Sequence, residues 1–374
     1  MTVVNQSAPG DRTLVVKIGT SSVTTSDGGV DRAAIAKLAG EVAGAQRTGA
    51  DVVVVTSGAI TAGWAALAPG EARPIDPATL QAVAAVGQHR LMRVWSDALS
   101  DEGLVAGQVL LAPLDFVHLS QYLHARQTLR RLLELGVVPV VNENDAVADE
   151  EIRFGDNDRL AALVAHLVVA DQLVLLTDTA GLLTGDPRRS AEASLIEEVV
   201  AIDHELERIA GGPGSAAGSG GMASKLAAAK IAVWSGVEAV IADASRPGVL
   251  AAVRAGTPGV GTRFRPRQRR LPARKLWIAF AIGATGTVTV DDGARRALVE
   301  RGTSLLPAGV LSVTGDFGAD EAVEIAGPDG AVFAKGLVRH SAGVVAEWAG
   351  RQSGELPADL VTEVVHRDDL VVLE

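Results

Sequence analysis

Lysine and serine residues directly follow the first two apolar, β-branched runs of the chain. Lys17 ends the run in VVKIGTSS, and residues 19–21 turn the chain. A lysine beside a glycine-hydroxyl turn supplies a cation and backbone N–H donors, which are the groups that hold phosphate. Ser57 and Gly58 in VVVVTSGAI could cap the next helix while presenting N–H groups to an anion. A turn with an exposed lysine and a plain helix cap remain the alternatives.

Two clusters rich in asparagine and aspartate follow later runs. They are NEND at 142–145 and GDND at 155–158, and GDND opens a helix, so that Asp156 or Asn157 could be a simple cap. Brought to one sheet edge, the two clusters could instead bind an ammonium and an amide-like group. The residues themselves leave both interpretations open. Thr177 and Asp178 end a further, strongly apolar strand.

A glycine-rich segment precedes a helix that carries Lys225. Six of the eleven residues from 211 to 221 are glycine. Such a segment could wrap around phosphates with its backbone amides and move as a lid. A flexible linker is the alternative.

Several kinds of site are excluded or disfavoured by the residues that are missing. There is no cysteine, and no GxxxxGK[ST], HExxH or GxSxG motif. The seven histidines are scattered, and the six positions between His118 and His124 would put them on different faces of a helix. We therefore do not expect histidine-based metal binding or acid-base catalysis.

The elements that would position these residues alternate along the first two-thirds of the chain. The sequence predicts strands at 14–18, 51–56, 104–111, 137–142, 172–177 and 238–242, and helices at 32–47, 77–100, 120–135, 158–169 and 222–235. This alternation is typical of an α/β fold with a mostly parallel sheet between two layers of helices. Ligands of such sheets bind at the carboxyl ends of the strands, where the polar clusters lie.

A change of pattern after Gly261 predicts a second domain. Residues 263–275 are rich in cations and show no helix or strand period, and short strands with Gly and Asp turns follow, as in a small β-barrel or sandwich. We predict an α/β domain at 10–268, a linker at 269–276 and a β-rich domain with the C-terminal tail at 277–374.

The bulk properties indicate a globular protein. The formal net charge of −11 opposes nucleic-acid binding by the overall field. No signal peptide and no apolar run long enough to span a bilayer is visible, so we expect a cytoplasmic protein without membrane contact.

The ordered set of motifs resembles the amino acid kinase family, in particular its glutamate-phosphorylating branch. The stretches that carry the resemblance cover almost all of residues 13–262: VVKIGTSS, VVVVTSGAI, AAVGQHRLM, GVVPVVNENDAVA, GDNDRLAALVA, LLTDTAGLLTGDPR and GSGGMASKLAAAKIA. The C-terminal GTVTVDDGARRALVERGTSLLPAGVLSVTGDFG resembles a PUA domain, a small β-barrel.

The resemblance implies ATP-dependent phosphorylation of the L-glutamate γ-carboxylate, the first step of proline biosynthesis, with Mg²⁺ whose protein ligands stay unassigned. It implies that Lys17 and Lys225 contact the transferred phosphoryl group, that Asp158 orients them, and that glutamate is bound by Ser57, Asp145 and Asn157. It implies a nucleotide site of Lys17, Thr177, Asp178, Ser219, Gly220, Gly221, Met222, Ala223, Ser224 and Lys225. Feedback inhibition by proline and a homo-oligomer, dimer or tetramer, are implied as well.

A carboxylate acceptor suits these residue types. With a pKa of about 4.3 it is already ionised at neutral pH and needs no general base. Other acceptors of the family, namely aspartate, N-acetylglutamate, carbamate and UMP, remain alternatives. RNA binding through the PUA-like segment and the basic linker is a rival from another class, and the net charge opposes it.

Overall fold

The computed structural model describes residues 13–68, 70–116, 118–147, 157–185, 193–211, 221–267, 270–355 and 362–373. Its internal contacts divide the chain between Arg270 and Leu271 into two compact units. The domain limits predicted at 268 and 277 stay a prediction, and residues 10–12 and 268–269 lie outside the described residues.

The first unit consists of alternating strands and helices. Its strands are β1 (Thr13–Ile18), β2 (Asp51–Val55), β3 (Val105–Leu111), β4 (Val137–Glu143), β5 (Gln172–Thr177), β6 (Glu198–Val199), β7 (Glu238–Asp243) and β8 (Thr262–Phe264). Its helices are α1 (Arg32–Arg47), α2 (Ala59–Leu67), α3 (Pro77–Asp101), α4 (Leu119–Glu134), α5 (Asn157–Val168), α6 (His204–Ile209), α7 (Met222–Trp234) and α8 (Val249–Arg254). Every predicted strand and helix is present, with its ends within one residue of the prediction.

The strands form one eight-stranded sheet in the order β3-β4-β2-β1-β5-β7-β8-β6. The neighbours from β3 to β7 are parallel, and β8 runs antiparallel to β7. Alternate residues of the buried strands, such as Val16 and Ile18, pack against α1, α3 and α8 in one core. Because side chains alternate across a strand, Lys17 points to the opposite face of the sheet, towards α5 and α7. The predicted α/β fold with a mostly parallel sheet is confirmed.

The arginine-rich segment at 263–275 is more structured than its composition predicted. Its first residues belong to β8, and a short helix, α9 (Ala273–Leu276), occupies the stretch predicted as linker. Arg263 pairs with Glu238, and the Arg267 guanidinium lies 3.8 Å from the centre of the Trp234 ring. The expectation of a segment without regular structure holds for residues 265–267 and 270–272 and was wrong only at the two ends. Ion pairs and a cation–π contact anchor the segment although it has no apolar period.

The second unit is the β-rich unit that the sequence predicted. Besides α9 it contains β9 (Gly286–Val290), α10 (Asp292–Arg301), β10 (Val310–Gly315), β11 (Ala322–Ala326), β12 (Val332–Val338), α11 (Ala342–Trp348) and β13 (Val365–Val372). The strands form a five-stranded sheet in the order β10-β9-β11-β12-β13. Its core includes Phe317, Phe333 and Val365, all nearly inaccessible to solvent.

Among the described residues, no helix is long and apolar enough to cross a membrane.

Helices α2 and α3 approach each other closely through two glycines. A Cβ atom built on Gly87 would lie 1.7 Å from the carbonyl oxygen of Ala59, and one built on Gly63 would lie 2.0 Å from that of Val83. Helix backbones can come this near only where the side chain is a hydrogen atom. The contact fixes the first turn of α2, which follows Ser57 and Gly58 at the end of β2.

Replacing Gly87 by Ala should therefore destabilise the first unit by about 1–3 kcal/mol, the usual range for overpacking a core. Gly44→Ala in α1 is the matched control, because a Cβ there would meet its nearest neighbour at 3.9 Å. Gly44→Ala should leave stability unchanged or raise it by about 0.5–1 kcal/mol. Thermal and urea unfolding measure both variants, and equal midpoints for the two would contradict the close approach.

Candidate active site

A buried carboxylate between two lysines lies at the carboxyl end of the sheet. Lys17 Nζ is 2.6 Å from Asp158 Oδ1, and Lys225 Nζ is 3.2 Å from Asp158 Oδ2. The exposed fractions of the three side chains are 4% for Lys17, 0% for Asp158 and 5% for Lys225. The alternative of an exposed Lys17 in a simple turn is therefore wrong.

Three elements that are distant in sequence meet at this carboxylate. Lys17 comes from the penultimate position of β1, Asp158 from the second position of α5 and Lys225 from the first turn of α7. The hydroxyl of Ser224 donates a hydrogen bond of 2.7 Å to Asp158 Oδ2. Two ammonium groups around one carboxylate leave the cluster with excess positive charge facing the end of the sheet.

Asp158 is held in its ionised form. Burial raises the pKa of its carboxyl, but the charges of Lys17 and Lys225 and the hydrogen bonds from Lys17 and Ser224 outweigh burial, so its pKa lies below the ordinary value. An acid buried this deeply would otherwise be neutral. The two lysines therefore keep a fixed anionic anchor at neutral pH.

A cluster of amide groups lies next to the lysines. Asn157 Nδ2 is 2.8 Å from Asn142 Oδ1, and 2.9 Å from both Ser57 Oγ and the Thr56 carbonyl oxygen. Gln88 Oε1 accepts a hydrogen bond of 2.7 Å from Asn142 Nδ2. This network joins the ends of β2 and β4 to the start of α5.

Ser57 serves this network rather than a helix. The N-cap of α2 is Gly58, with φ of 102° and no side-chain cap, so the predicted capping role is confirmed for Gly58 and wrong for Ser57. A Cβ on Gly58 would lie 3.3 Å from the side chains of Val23 and Thr24. The left-handed backbone and this crowding both require glycine at position 58.

The acceptor atom of Asn157 has no partner in the part of the chain that the structure describes. Its Oδ1 is buried and receives no hydrogen bond from any described residue. A buried acceptor without a donor costs about 1–3 kcal/mol. The site is thus prepared to accept a hydrogen bond from a ligand that carries N–H groups.

Thr177 and Asp178 lie at the end of β5, on the other side of the lysines. The Thr177 hydroxyl donates to Asp178 Oδ1 at 3.1 Å, and the Thr177 carbonyl accepts from the Ala244 amide at 2.8 Å. The turn at Ala244 is held in turn by Lys37, whose Nζ lies 2.7 Å from the carbonyl oxygens of both Ala244 and Ser245. Helix α1 thereby supports this part of the site.

One cavity of about 670 Å³ collects most of the predicted residues. Of the predicted site residues, it is lined by Lys17, Ser57, Asp145, Asn157, Thr177, Asp178 and Lys225. Asp158 and Ser224 lie behind the lysines. This volume suits a substrate of drug-like size or a nucleotide. No histidine is among the described residues that line it.

The remaining predicted residues belong to the glycine-rich segment. Gly221 is the N-cap of α7, and its carbonyl accepts a 3.0 Å hydrogen bond from the Ser224 hydroxyl. Met222 and Ala223 form the first turn of α7, outside the described lining of the cavity. Ser219, Gly220 and most of the predicted lid lie outside the described residues, as does Asp156, the other proposed cap.

Gln88 and Arg73 are among the residues at the site that were not predicted. Gln88 lies in the stretch AAVGQHRLM, which resembled the family but suggested no role for it. Arg73 lines the cavity, although it comes from the irregular stretch between α2 and α3. A residue in an irregular stretch carries no periodic signal, so only the folded structure brings Arg73 to the site.

No group of three or more His, Cys, Asp or Glu residues in the described part of the chain could hold a metal ion. Asp158 is occupied by the two lysines. The donor set of this cavity therefore does not form a cage made of protein ligands alone.

Comparison with known proteins identifies related sequences along the whole chain. The family model for the amino acid kinase family matches residues 12–243, and that for the PUA domain matches residues 286–358. A protein of Nocardia farcinica named glutamate 5-kinase is 45% identical over 99% of this chain and 100% of its own. The glutamate 5-kinase of Mycobacterium tuberculosis is 47% identical over 97% of this chain and 95% of its own.

The buried ion pairs predict a large effect of removing Asp158. Asp158→Asn leaves two buried ammonium groups without their anion, and breaking a buried pair in this way costs about 3–5 kcal/mol. Glu134→Gln is the control, because it breaks the exposed pair with Arg131, and an exposed pair contributes about 0–1 kcal/mol. Urea unfolding measures both variants.

The pH dependence provides a second check on Asp158. Because its folded-state pKa is lowered, its stabilisation is complete above the unfolded-state value of about 3.9 and is lost as the pH falls through the lower folded-state value. The stability difference between wild type and Asp158→Asn should stay constant from pH 8 to pH 5. A difference that shrinks between pH 7 and pH 5 would contradict the lowered pKa.

Proposed function

The chain belongs to the amino acid kinase family, and we propose that it is a glutamate 5-kinase, which transfers the γ-phosphoryl group of ATP to the γ-carboxylate of L-glutamate in the first step of proline biosynthesis. The observation that carries this proposal is the buried Lys17–Asp158–Lys225 cluster at the floor of the cavity, in a chain 45–47% identical to glutamate 5-kinases over nearly its full length.

The difficulty of this reaction is electrostatic. The attacking carboxylate is ionised at neutral pH and must approach a phosphoryl group that is also anionic. A carboxylate oxygen forms a bond to the γ-phosphorus while the bond from that phosphorus to the β,γ-bridging oxygen breaks, and ADP leaves with the electron pair. No proton has to be removed, which agrees with the lack of a histidine along the described cavity wall.

Lys17 and Lys225 reduce this repulsion through their positive charges. In our proposal their ammonium groups contact the transferred phosphoryl oxygens and stabilise the charge that spreads over them in the transition state. Asp158 is the positioning residue that holds both ammonium groups within about 3 Å of its two oxygens. The lysines are thus in place before the substrate arrives and need no costly reorganisation.

Glutamate is assigned to the side of the amide network. Asp145 lines the cavity with Ser57 and Asn157, and its carboxylate suits the substrate ammonium. The unpartnered Oδ1 of Asn157 supplies a further acceptor for that group. The γ-carboxylate would then point towards the lysines.

The nucleotide is assigned to the opposite side. We place it against Thr177 and Asp178 and the start of α7 at residues 221–225. Ser219 and Gly220, which lie outside the described residues, belong to the same proposed nucleotide site. An ATP-dependent kinase requires a divalent metal, and we propose Mg²⁺, which enters as the Mg²⁺–ATP complex. Magnesium usually keeps its waters and substrate phosphates as ligands with one or two carboxylates, so it needs no cage of protein ligands. When bound, it neutralises phosphate charge.

The proposal includes further properties that the resemblance to the glutamate-phosphorylating branch of the family implies. They are feedback inhibition by proline, assembly as a homodimer or homotetramer, and a cytoplasmic location. RNA binding is not part of it, because Arg263 and Arg265 of the basic segment pair with Glu238 of the same unit.

The experiment that tests the function is a coupled assay of ADP release with a panel of acceptors. Glutamate should support turnover, while aspartate, N-acetylglutamate, carbamate and UMP should not. Trapping the labile acyl phosphate with hydroxylamine identifies the product as a γ-derivative. A member of the panel that outperforms glutamate would replace it in the proposal.

Lys225 provides a test of the mechanism. Lys225→Ala should lower kcat about 100- to 1,000-fold, the usual effect of removing one transition-state donor, while the KM for glutamate changes little. Lys230→Ala is the matched control, because it lies on the same helix, pairs with Glu207 at 2.7 Å and is not among the residues lining the cavity. Unchanged turnover in Lys225→Ala would remove this lysine from the catalytic residues.

A further inference from the structure

One charged group of the proposed substrate, the α-carboxylate of glutamate, has no partner among the residues assigned so far. Glutamate has an α-carboxylate, an ammonium group and the reacting γ-carboxylate. Lys17 and Lys225 face the γ-carboxylate and the phosphates, and Asp145 is assigned to the ammonium. The α-carboxylate therefore requires a cationic or N–H partner at the glutamate side of the cavity.

Arg73 is the third cationic residue among those that line the cavity. It lies in the connection between α2 and α3, and its side chain is exposed. Within the described residues it takes part in no salt bridge or hydrogen bond, whereas Lys17 and Lys225 are both engaged with Asp158. Its guanidinium is thus available to a ligand.

Contacts on both sides of Arg73 hold the backbone of this connection. The Trp64 indole N–H donates a 3.1 Å hydrogen bond to the carbonyl of Glu71, which ties the connection to α2. Asp76 caps α3 by accepting from the Thr79 amide at 2.9 Å. Arg73 lies between these two hydrogen-bonded positions and lines the cavity.

The start of α2 favours an anion in the same cavity. Ala59 and Ile60, in the first turn of this nine-residue helix, line the cavity beside Ser57. The N-cap Gly58 supplies no side-chain acceptor for their amides. The positive end of the helix dipole adds to the charge of Arg73 and opposes that of Asp145.

We propose that Arg73 is a specificity-determining residue that binds the α-carboxylate of glutamate. This inference rests on the proposed function. The planar guanidinium can donate two parallel hydrogen bonds to a carboxylate, which a lysine cannot do. Arg73 and Asp145 then recognise the two charges at the α-carbon, and the lysines receive the γ-carboxylate.

The test compares glutamate with 4-aminobutyrate, which keeps the amine and the reacting carboxylate but lacks the α-carboxylate. Arg73→Gln should raise the KM for glutamate about 10- to 100-fold, as expected for a lost charge-assisted hydrogen bond. The inhibition constant of 4-aminobutyrate against glutamate should stay within about twofold, as should the KM for ATP. Arg73→Lys should recover part of the loss.

Arg130→Gln is the matched control, because it removes the same charge from an exposed position on α4 outside the described cavity lining. It should leave all constants unchanged. An unchanged glutamate KM in Arg73→Gln, or an equal weakening of glutamate and 4-aminobutyrate, would overturn the inference.

Glutamate affinity, measured by calorimetry without ATP, separates this inference from the proposed function. Wild-type protein that binds glutamate through Arg73 but does not phosphorylate it would refute the kinase assignment alone. Turnover of glutamate with an Arg73→Gln variant of wild-type affinity would refute the role of Arg73 alone.

Discussion

The contact of Asp158 with Lys17 and Lys225 is the interaction on which the site depends. Burying three charged groups at the end of a sheet is costly unless each finds its partner within hydrogen-bonding distance. Asp158 meets this condition by turning one oxygen to Lys17 and the other to Lys225 and Ser224. Because these residues belong to β1, α5 and α7, the same contact also fixes how these three elements meet.

The cluster of Lys17, Asp158 and Lys225 carries a net positive charge and therefore attracts anions. Two ammonium groups share one carboxylate, so they retain attraction for further anions, and the cavity in front of them is where such anions can enter. A carboxylate that accepts a phosphoryl group and a polyphosphate that donates one are both anions of this kind. Asp158 stabilises the two ammonium groups in the absence of substrate, and in our proposal the substrates use the remaining positive charge.

Sequence patterns predicted the elements of the first unit and the ends of strands at which the site lies. Lys17 could be predicted because a charged residue at the end of an apolar strand is unusual and stands before a turn. The partnership of Ser57 with Asn157 could not, because the two lie 100 residues apart and each also fits a helix cap. Arg73 and Gln88 were not predicted because their positions also depend on contacts between distant parts of the chain. Helices α2 and α3 pack closely through Gly63 and Gly87, and the position of this pair at the strand ends brings Arg73 and Gln88 to the site.

In the proposed site, the substrate is recognised by protein groups that have no hydrogen-bond or ion-pair partner among the described residues. Among the described residues, no donor reaches the buried Oδ1 of Asn157, and no anion pairs with Arg73, which lines the cavity. The buried oxygen of Asn157 costs free energy until a ligand brings a donor, whereas the exposed guanidinium of Arg73 is hydrated until an anion replaces its water. In our proposal a molecule with an ammonium and a carboxylate on one carbon gains free energy at both places. An acceptor that lacks either group gains at only one, although its reacting carboxylate is identical. In the proposed site, specificity at the α-carbon therefore comes from residues other than the lysines, and the Lys17–Asp158–Lys225 cluster is left to bind the phosphoryl group.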